Sequence, residues 1–336
     1  MKRIKFVVLL FVLGGIGILF LLLTRQMTLP FLYSSKGGQM WTLGYVEVEN
    51  PLTICFDSIS WIDNGFYKKF PPPGIMADPF ITAKEDTLYI FYEEKSGKRN
   101  SNHGNICVLK SIDGQNWEHM GYAMDAAFHL SWPNVFESDS NFYMIPEKSM
   151  TRELAIYKSI DFPLKWKKHS VIFSDVSYSD PAVYYQDSLW FLFVEMNKML
   201  RLFYNRDFTN NNWIEHPMSP ISVGYESRLG GGVQEIDGQP YLFIQVSENV
   251  YGTGVYAYTI DTMTTECFAM NKNMNPVLWR YGESYAKDGM HTLNFIKRPN
   301  GKYLCVIDGT QIVPPTSWKW SCSNLPEFHW RWNQVD

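Results

Sequence analysis

The feature of this 336-residue chain that most constrains its fold is an internal repeat. Each copy has a β-rich run, a polar turn and a second β-rich run, which together predict a β-hairpin. Five copies follow one another, with equivalent positions at Pro79, Pro133, Pro181, Gly232 and His291. A third alternating strand follows each of the first four hairpins, and a fourth strand usually comes after it. Four-stranded units of this length stack radially, so the repeat predicts an all-β protein, a five-bladed β-propeller.

The fifth repeat is short of outer strands, and a strand-like segment between Met40 and Phe56 is predicted to complete its blade and close the ring. The propeller is therefore expected to occupy residues 41–312. The Trp-rich tail, 313–336, has no repeat partner. Both packing beneath the ring and contact with a bilayer are open interpretations of it.

An apolar segment near the N-terminus predicts a membrane anchor. Phe6 to Leu23 contains no charged residue, and 18 residues of helix span about 27 Å, close to the thickness of a bilayer core. A cleaved signal peptide is the alternative, but no good cleavage site precedes Gly37. The chain is thus divided into a cytoplasmic tail (1–5), a transmembrane signal-anchor (6–24) and a stem (25–40).

Basic residues predict the orientation of this anchor, since Lys2, Arg3 and Lys5 precede the apolar run and only Arg25 closely follows it. The expected protein is a single-pass type II membrane protein with its propeller on the non-cytoplasmic side. That side would be the Golgi lumen in a eukaryote, or the periplasm or exterior in a bacterium.

Charge and cysteine usage exclude other function classes. With 30 Lys and Arg against 34 Asp and Glu, the net charge is -4 and no basic cluster is present, so nucleic acid is not an expected partner. The five cysteines show no metal-ligand spacing. Neither a metal nor another cofactor is predicted.

The candidate site follows from blade geometry, because the start of each inner strand and the end of its hairpin partner lie at the same face of the ring. The starting residues are Asp78, Trp132, Asp180, Gly231 and His291. The ending residues are Glu93 or Glu94, Glu147, Glu195, Gln245 and Asp308, and His129 and Arg228 lie just upstream of two starts. Two carboxyl groups in different environments are what glycosidic chemistry requires.

Each of these residues also has a structural interpretation. Asp-Pro commonly opens turns, which would account for Asp78 and Asp180. A glutamate at a strand end is usually solvated, His129 can pin a loop, and Arg228 can pair with Glu226. The argument for function is recurrence, since independent strand ends have no evident shared need for an acid.

Several motifs together resemble a known family. They are Ala77-Asp78-Pro79-Phe80, Tyr92-Glu93-Glu94-Lys95, His129-Leu-Ser-Trp-Pro-Asn-Val-Phe136, Met144-Ile-Pro-Glu147, Arg228 with Gly230 to Gly232, and His291 with Asp308-Gly309. In order, over about residues 70 to 310, they resemble the N-terminal propeller domain of glucosamine inositolphosphorylceramide transferases. That domain is itself similar to family-43 glycoside hydrolases. The resemblance implies a five-bladed fold, a carbohydrate ligand and a separate glycosyltransferase as a possible partner.

The hydrolase pattern carries over only in part. It implies that Asp78, opening the first blade, is a general base and that Asp180, opening a middle blade, tunes and orients the site. The acid expected at the start of the fourth blade is missing, because Ser227-Arg228-Leu229-Gly230 stands there. Glu147 or Glu94 is then the candidate proton donor from another blade.

Two hypotheses result. In the first, a membrane-anchored propeller hydrolyses or transfers a glycosyl unit of a glycan or glycolipid, with Asp78, Glu147, Asp180 and Glu94 as candidate catalytic residues. Substrate would be held by His129, Trp132, Glu195, Arg228, His291 and Asp308. In the second, the propeller is a non-catalytic glycan- or glycolipid-binding module that supports a separate glycosyltransferase.

Overall fold

The computed structural model describes residues 14–15, 32–34, 38–62, 75–95, 103–247, 251–283, 285–313 and 318–320. Nearly all of its regular structure is β-strand. Three short 3-10 helices occur in this part of the chain, at Phe56–Ser58, Ser149–Thr151 and Gly224–Glu226.

The strands form four-stranded antiparallel units in chain order. Before the first unit come β1 (Leu32–Ser34), β2 (Gly38–Val48) and β3 (Ser60–Trp61). Blade one contains β4 (Ile75–Lys84), β5 (Thr87–Lys95), β6 (Asn105–Ser111) and β7 (Glu118–Met124). Blade two contains β8 (Ser131–Ser138), β9 (Asn141–Glu147), β10 (Glu153–Asp161) and β11 (Lys165–Ser174).

Blades three and four each carry a short extra strand. Blade three contains β12 (Ser179–Gln186), β13 (Leu189–Glu195), β14 (Met199–Asn205) and β15 (Ile214–Glu215), with β16 (Ser222–Val223) also on β14. Blade four contains β17 (Leu229–Ile236), β18 (Gln239–Val246), β19 (Gly254–Met263) and β20 (Phe268–Lys272), with β21 (Leu278–Trp279) also on β19.

The fifth blade is assembled from both ends of the ring. It contains β22 (Leu293–Lys297) and β23 (Tyr303–Val313), followed by β2 and β3. The β2–β23 ladder runs antiparallel from Gly38 opposite Val313 to Val48 opposite Tyr303. The innermost strands β4, β8, β12, β17 and β22 contact one another in cyclic order. The structure therefore confirms the five-bladed propeller and its closure by the strand-like segment predicted to complete the fifth blade.

Apolar side chains fill the spaces between neighbouring blades. The middle strands are almost continuously buried, as in Phe191, Phe193 and Val194 of β13. Both faces of such a strand are covered because each blade packs between two others. The heavy aromatic content therefore goes largely into this core.

The terminal predictions fall mostly outside the described residues. The predicted membrane span, 6–24, does so except for residues 14 and 15, and no helix among the described residues is long and apolar enough to cross a bilayer. Of the Trp-rich tail, β24 (Trp318–Trp320) is described, and it pairs antiparallel with β1, which falls within the range predicted to be a stem. Cys55, Cys107, Cys267 and Cys305 are unpaired, and Cys322 lies outside the described residues.

Candidate active site

A β-bulge opens each of the first three inner strands. Asp78, Trp132 and Asp180 occupy the bulges with φ of 52°, 48° and 49°. Left-handed backbone costs a non-glycine residue about 1–2 kcal/mol, so its recurrence indicates a shared requirement. A bulge bends the strand and redirects one side chain. In blade four the corresponding residue is Gly231, with φ of 152°.

Carboxylates from neighbouring blades bind the backbone N–H groups of these bulges. Asp308 Oδ2 accepts the N–H of Asp78 at 3.0 Å, and Glu147 Oε2 accepts that of Asp180 at 3.0 Å. Asp78 Oδ2 in turn accepts the N–H of Trp132 at 3.2 Å. This corrects the expectation that the strand ends share no structural need for an acid, because here the acids link one blade to the next.

Blades one and five meet in a buried cluster of charges. Asp308 Oδ1 accepts the N–H groups of His291 and Thr292, each at 3.0 Å, and Oδ2 lies 2.7 Å from His291 Nδ1. His291 Nε2 is 3.5 Å from Asp78 Oδ1, which also accepts the Thr292 hydroxyl at 3.3 Å. Asp308 thus orients the imidazole towards Asp78.

This arrangement shifts the pKa values of both residues. Burial raises the pKa of Asp78 to about 6, although the nearby His291 opposes that shift. Burial by itself would lower the pKa of His291, but the Asp308 carboxylate outweighs it and the pKa is raised. In the part of the chain that the structure describes, Asp78, His291 and Asp308 have potential metal-ligand atoms that all lie within 4.8 Å of one another. The Asp308 oxygens, however, already accept N–H groups from the protein.

Trp41 of β2 covers this cluster. Its ring stacks on the imidazole of His291 with centroids 4.0 Å apart, and Tyr251 contacts the same imidazole edge-on at 5.4 Å. The strand that closes the ring therefore also contributes to the wall of the site. Trp41 and Tyr251 were not among the predicted site residues, and the only available signal was the position of Trp41 in the predicted closing strand.

Arg228 joins blade four to blades two and three. Its Nε donates to Asp180 Oδ2 at 2.6 Å and its Nη2 to Asp180 Oδ1 at 3.0 Å, a bidentate pair. Nη2 also lies 3.6 Å from Glu147 Oε2, and the guanidinium stands over the ring of Tyr251 at 5.4 Å. The alternative pairing with Glu226 is wrong, since that carboxylate binds Tyr258 and Lys272 instead.

Glu147 is one of the acids whose surroundings favour the protonated form. It is buried, and burial together with the adjacent Asp180 carboxylate raises its pKa to about 8. The hydroxyl of Ser149 donates to its Oε1 at 3.2 Å. A carboxylic acid that is largely neutral at pH 7 can donate a proton, and cleavage of a glycosidic bond requires a proton donor to the leaving oxygen.

Glu93 and Glu94 are separated by the alternation of the strand, so their side chains leave opposite faces of β5. Glu93 lies beside His129, with Oε1 3.7 Å from Nδ1, and burial raises its pKa well above the ordinary value. Glu94 accepts the hydroxyl of Tyr122 at 3.1 Å on the other face. The structure therefore brings Glu93 rather than Glu94 to the cluster, and the candidate role of Glu94 as proton donor is corrected.

His129 is held as a neutral imidazole. Its Nδ1 accepts the N–H of Gly104 at 3.0 Å, and burial lowers the pKa of the ring to about 4. Glu195 is buried as well, with Oε1 accepting the N–H of Lys198 at 2.5 Å, and burial raises its pKa.

Trp132 does not have the placement expected of a substrate-binding residue. Its side chain is buried, contacts Phe80 edge-on, and donates from Nε1 to the carbonyl of Pro181 at 2.9 Å. An indole used in this way stabilises the junction between blades two and three and has no free face for a sugar. The expected role is therefore corrected to a structural one.

Sequence comparison identifies relatives of the chain. Residues 42–310 match the family described as glucosamine inositolphosphorylceramide transferase 1, N-terminal. The glucosamine inositolphosphorylceramide transferase 1 of Arabidopsis thaliana is 32% identical over 289 residues, covering 80% of this chain and 36% of the relative. The protein of that name from Oryza sativa subsp. japonica is 29% identical over 307 residues, covering 82% and 41%. The chain thus spans about two fifths of these curated relatives.

Structure comparison finds glycoside hydrolases. A thermostable family-43 glycoside hydrolase superposes with a TM-score of 0.51 at 15% identity, covering 79% of this chain and 98% of the hydrolase. An α-L-arabinofuranosidase from Podospora anserina, in complex with cellotriose, gives 0.51 at 13% identity and covers 82% and 98%. At these identities the likeness establishes a shared propeller fold.

Proposed function

The chain belongs to the family of glucosamine inositolphosphorylceramide transferase 1 N-terminal domains. From this premise we propose that its funnel, the face of the ring where Asp78, Glu147, Asp180 and His291 lie, hydrolyses or transfers a glycosyl unit of a glycan or glycolipid. The observation that carries the proposal is that two buried carboxyl groups at one face of the ring have different surroundings, since Asp78 lies 3.5 Å from His291 Nε2 and Glu147 lies beside Asp180, whose backbone N–H it accepts. Burial raises both pKa values, to about 6 for Asp78 and about 8 for Glu147. When two neighbouring carboxyl groups have different pKa values, the one with the lower pKa can act as a general base and the one with the higher pKa as a general acid.

The protonation state and the contacts of each site residue indicate its role in this reaction. Near pH 7 Asp78 is mostly ionised and accepts a proton from water or an acceptor hydroxyl, while Glu147 is mostly protonated and donates to the leaving oxygen. Arg228 balances the charge of Asp180 beside Glu147. Asp308 fixes His291 next to Asp78.

A pH profile of the purified full chain tests this function. With a panel of aryl glycosides, oligosaccharides and inositol-containing glycolipids, kcat/KM is expected to be bell-shaped, with limbs near the two pKa values. Asp78→Asn and Glu147→Gln are each expected to lower kcat by about 10²- to 10⁴-fold. Glu94→Gln is the control, since Glu94 contacts Tyr122 instead. Turnover that survives both site substitutions would refute the assignment.

A non-catalytic glycan- or glycolipid-binding module is the second candidate. It is favoured by the absence of a carboxylate at the start of blade four, where Arg228 binds Asp180. In that case wild type, Asp78→Asn and Glu147→Gln would all bind the same glycans with similar affinity and none would turn them over. A separate glycosyltransferase would then be the partner.

We also propose that residues 6–24 anchor the chain in a bilayer as a type II protein, with the propeller on the non-cytoplasmic side. The support is the uncharged run from Phe6 to Leu23 with basic residues before it. The chain is expected to stay with membranes in alkaline carbonate, and the propeller is expected to be protected from protease in sealed vesicles. Release by carbonate, or digestion without detergent, would contradict the anchor or its orientation.

A further inference from the structure

A polar cavity that is open to solvent lies between blades two and three. Its volume is about 460 Å³, within the range of small-molecule sites. Three connections form its wall at the same face of the ring. These are the turn before β10 with Arg152, the segment 175–179 that leads into β12, and the turn after β13 with Met196 and Asn197.

The cavity lies beside the proposed catalytic centre, because Glu195 lines it and the charges of Arg228 and Asp180 act on the pKa of Glu195. Ser179 and Glu195 both line it and are opposite one another in the β12–β13 ladder. Ser179 directly precedes Asp180, whose backbone N–H is bound by Glu147. One ligand could therefore place one sugar residue in the funnel and the next sugar residue in this cavity.

The lining offers hydrogen-bond donors and acceptors in similar measure. Arg152 donates from Nη2 to the Asp175 carbonyl at 2.8 Å, which holds the guanidinium in place, and no carboxylate of the described residues pairs with it. The side chains of Ser177, Ser179 and Asn197 make no hydrogen bond to another described residue. Val176 and Met196 add apolar surface.

This combination selects a class of ligand. Sugar hydroxyls both donate and accept, and sugar rings have apolar faces, so a mixed lining suits them. A strongly anionic group is disfavoured, since Asp175 and Glu195 accompany the one arginine. Burial raises the pKa of Glu195.

We propose that this cavity is a second sugar subsite, which binds the neutral sugar residue next to the one held in the funnel. The inference rests on the proposed function, since it extends the same substrate site. It assigns to Arg152 and Asn197 a role in specificity for glycan length that neither has in the proposed chemistry.

Two glycine variants test the subsite with little risk to folding. Arg152 and Asn197 both have left-handed backbone, with φ of 54° and 56°, which glycine adopts without strain. Arg152→Gly and Asn197→Gly remove the side chains alone. Asp187→Gly is the matched control, because Asp187 is also left-handed, at 51°, but lies in the hairpin turn at the opposite end of blade three.

Binding is measured by calorimetry on the full-length protein with mono-, di- and trisaccharide ligands carrying the same terminal sugar, independently of turnover. Arg152→Gly is expected to weaken di- and trisaccharide binding by about tenfold, the loss of one charged hydrogen bond, and to leave the monosaccharide unaffected. Asp187→Gly is expected to match wild type for all three ligands.

The outcomes separate this inference from the proposed function. Equal weakening for all lengths, or none for any, overturns the subsite while the funnel stays a glycan site. Length-dependent loss without turnover supports the subsite and favours the binding-module alternative. If wild type binds none of the ligands, both the inference and the proposed function fail.

Discussion

At the scale of the residue, the candidate site is built on a backbone conformation that few non-glycine residues adopt. Asp78, Trp132 and Asp180 each sit in a left-handed bulge whose N–H group is bound by a carboxylate from a neighbouring blade. The same acids therefore stabilise the ring and build the site. Strain of this kind persists only where the surroundings enforce it.

Gly252 provides a residue-scale test of the stack on His291. A Cβ there would lie 2.8 Å from the Trp41 ring and 2.9 Å from His291 Cβ, whereas at Gly282, with the same φ of 70°, nothing lies within 4 Å. Both alanine variants bear the same backbone strain of about 1–2 kcal/mol. Gly252→Ala alone is expected to displace the imidazole.

The measurement is kcat/KM with thermal unfolding on both variants. Gly252→Ala is expected to lose about tenfold in kcat/KM and to change the acidic limb of the pH profile, because His291 lies next to Asp78. Gly282→Ala is expected to keep wild-type kcat/KM. Equal kcat/KM for the two variants would show that the stack has no part in positioning His291.

At the scale of the element, β2 both closes the ring and contributes to the candidate site. It forms an eleven-residue ladder with β23, and on its other side it pairs with β3. Through Trp41 it also reaches the site. One strand thus joins the two ends of the ring and completes the wall around His291.

The packing of β3 on β2 makes Gly44 sensitive to any side chain. A Cβ at this position would lie 2.8 Å from Ile59 Cγ2 and 3.0 Å from the Trp61 ring. Gly44→Val is expected to lower the free energy of unfolding by about 1–3 kcal/mol through overpacking. Glu47→Val is the matched control on the exposed side of β2 and is expected to change it by less than about 0.5 kcal/mol.

Chemical denaturation of the two valine variants provides both values. The difference between the two changes in free energy of unfolding isolates the effect of overpacking, because the preference of valine for strands applies at both positions. Similar stabilities would mean that β3 moves aside at little cost and does not hold β2 in place.

At the scale of the whole molecule, four of the five blades place acidic side chains at the same face of the ring, and blade four contributes none. Asp78, Glu93, Glu147 and Glu195 all have a raised pKa, and burial is the first cause in each. Ionising these groups in the folded ring is harder than in the unfolded chain. Protonation of these carboxyl groups therefore favours the folded state over the unfolded chain.

Stability is expected to fall with rising pH for this reason. A carboxyl whose pKa is raised on folding makes the folded state bind more protons, so its contribution is largest below the ordinary pKa and is lost as pH rises through the folded pKa. For Glu147 that window runs from 4.5 to about 8, and for Asp78 from 3.8 to about 6. Tm is expected to drop by at least about 2 °C between pH 5.5 and 8.5, as each kcal/mol is worth roughly 2–4 °C.

Glu147→Gln is the control, since glutamine cannot ionise. Its Tm is expected to depend less on pH than that of wild type, particularly between pH 6 and 8. A wild-type Tm that rises over this range would indicate that the axis carboxyls are paired more strongly than they are desolvated.

The sequence by itself determined the architecture of this protein, because strand periodicity and turn chemistry are local and the repeat multiplies them five times. It also indicated the closing strand and most of the acids around the funnel. The tertiary structure alone decided that Glu93 rather than Glu94 joins them, that Trp132 packs inward, and that Arg228 binds Asp180. These outcomes depend on the direction of each bulge and on the rotation between blades. Such long-range geometry also sets the burial that tunes the carboxyl groups, and no local pattern encodes it.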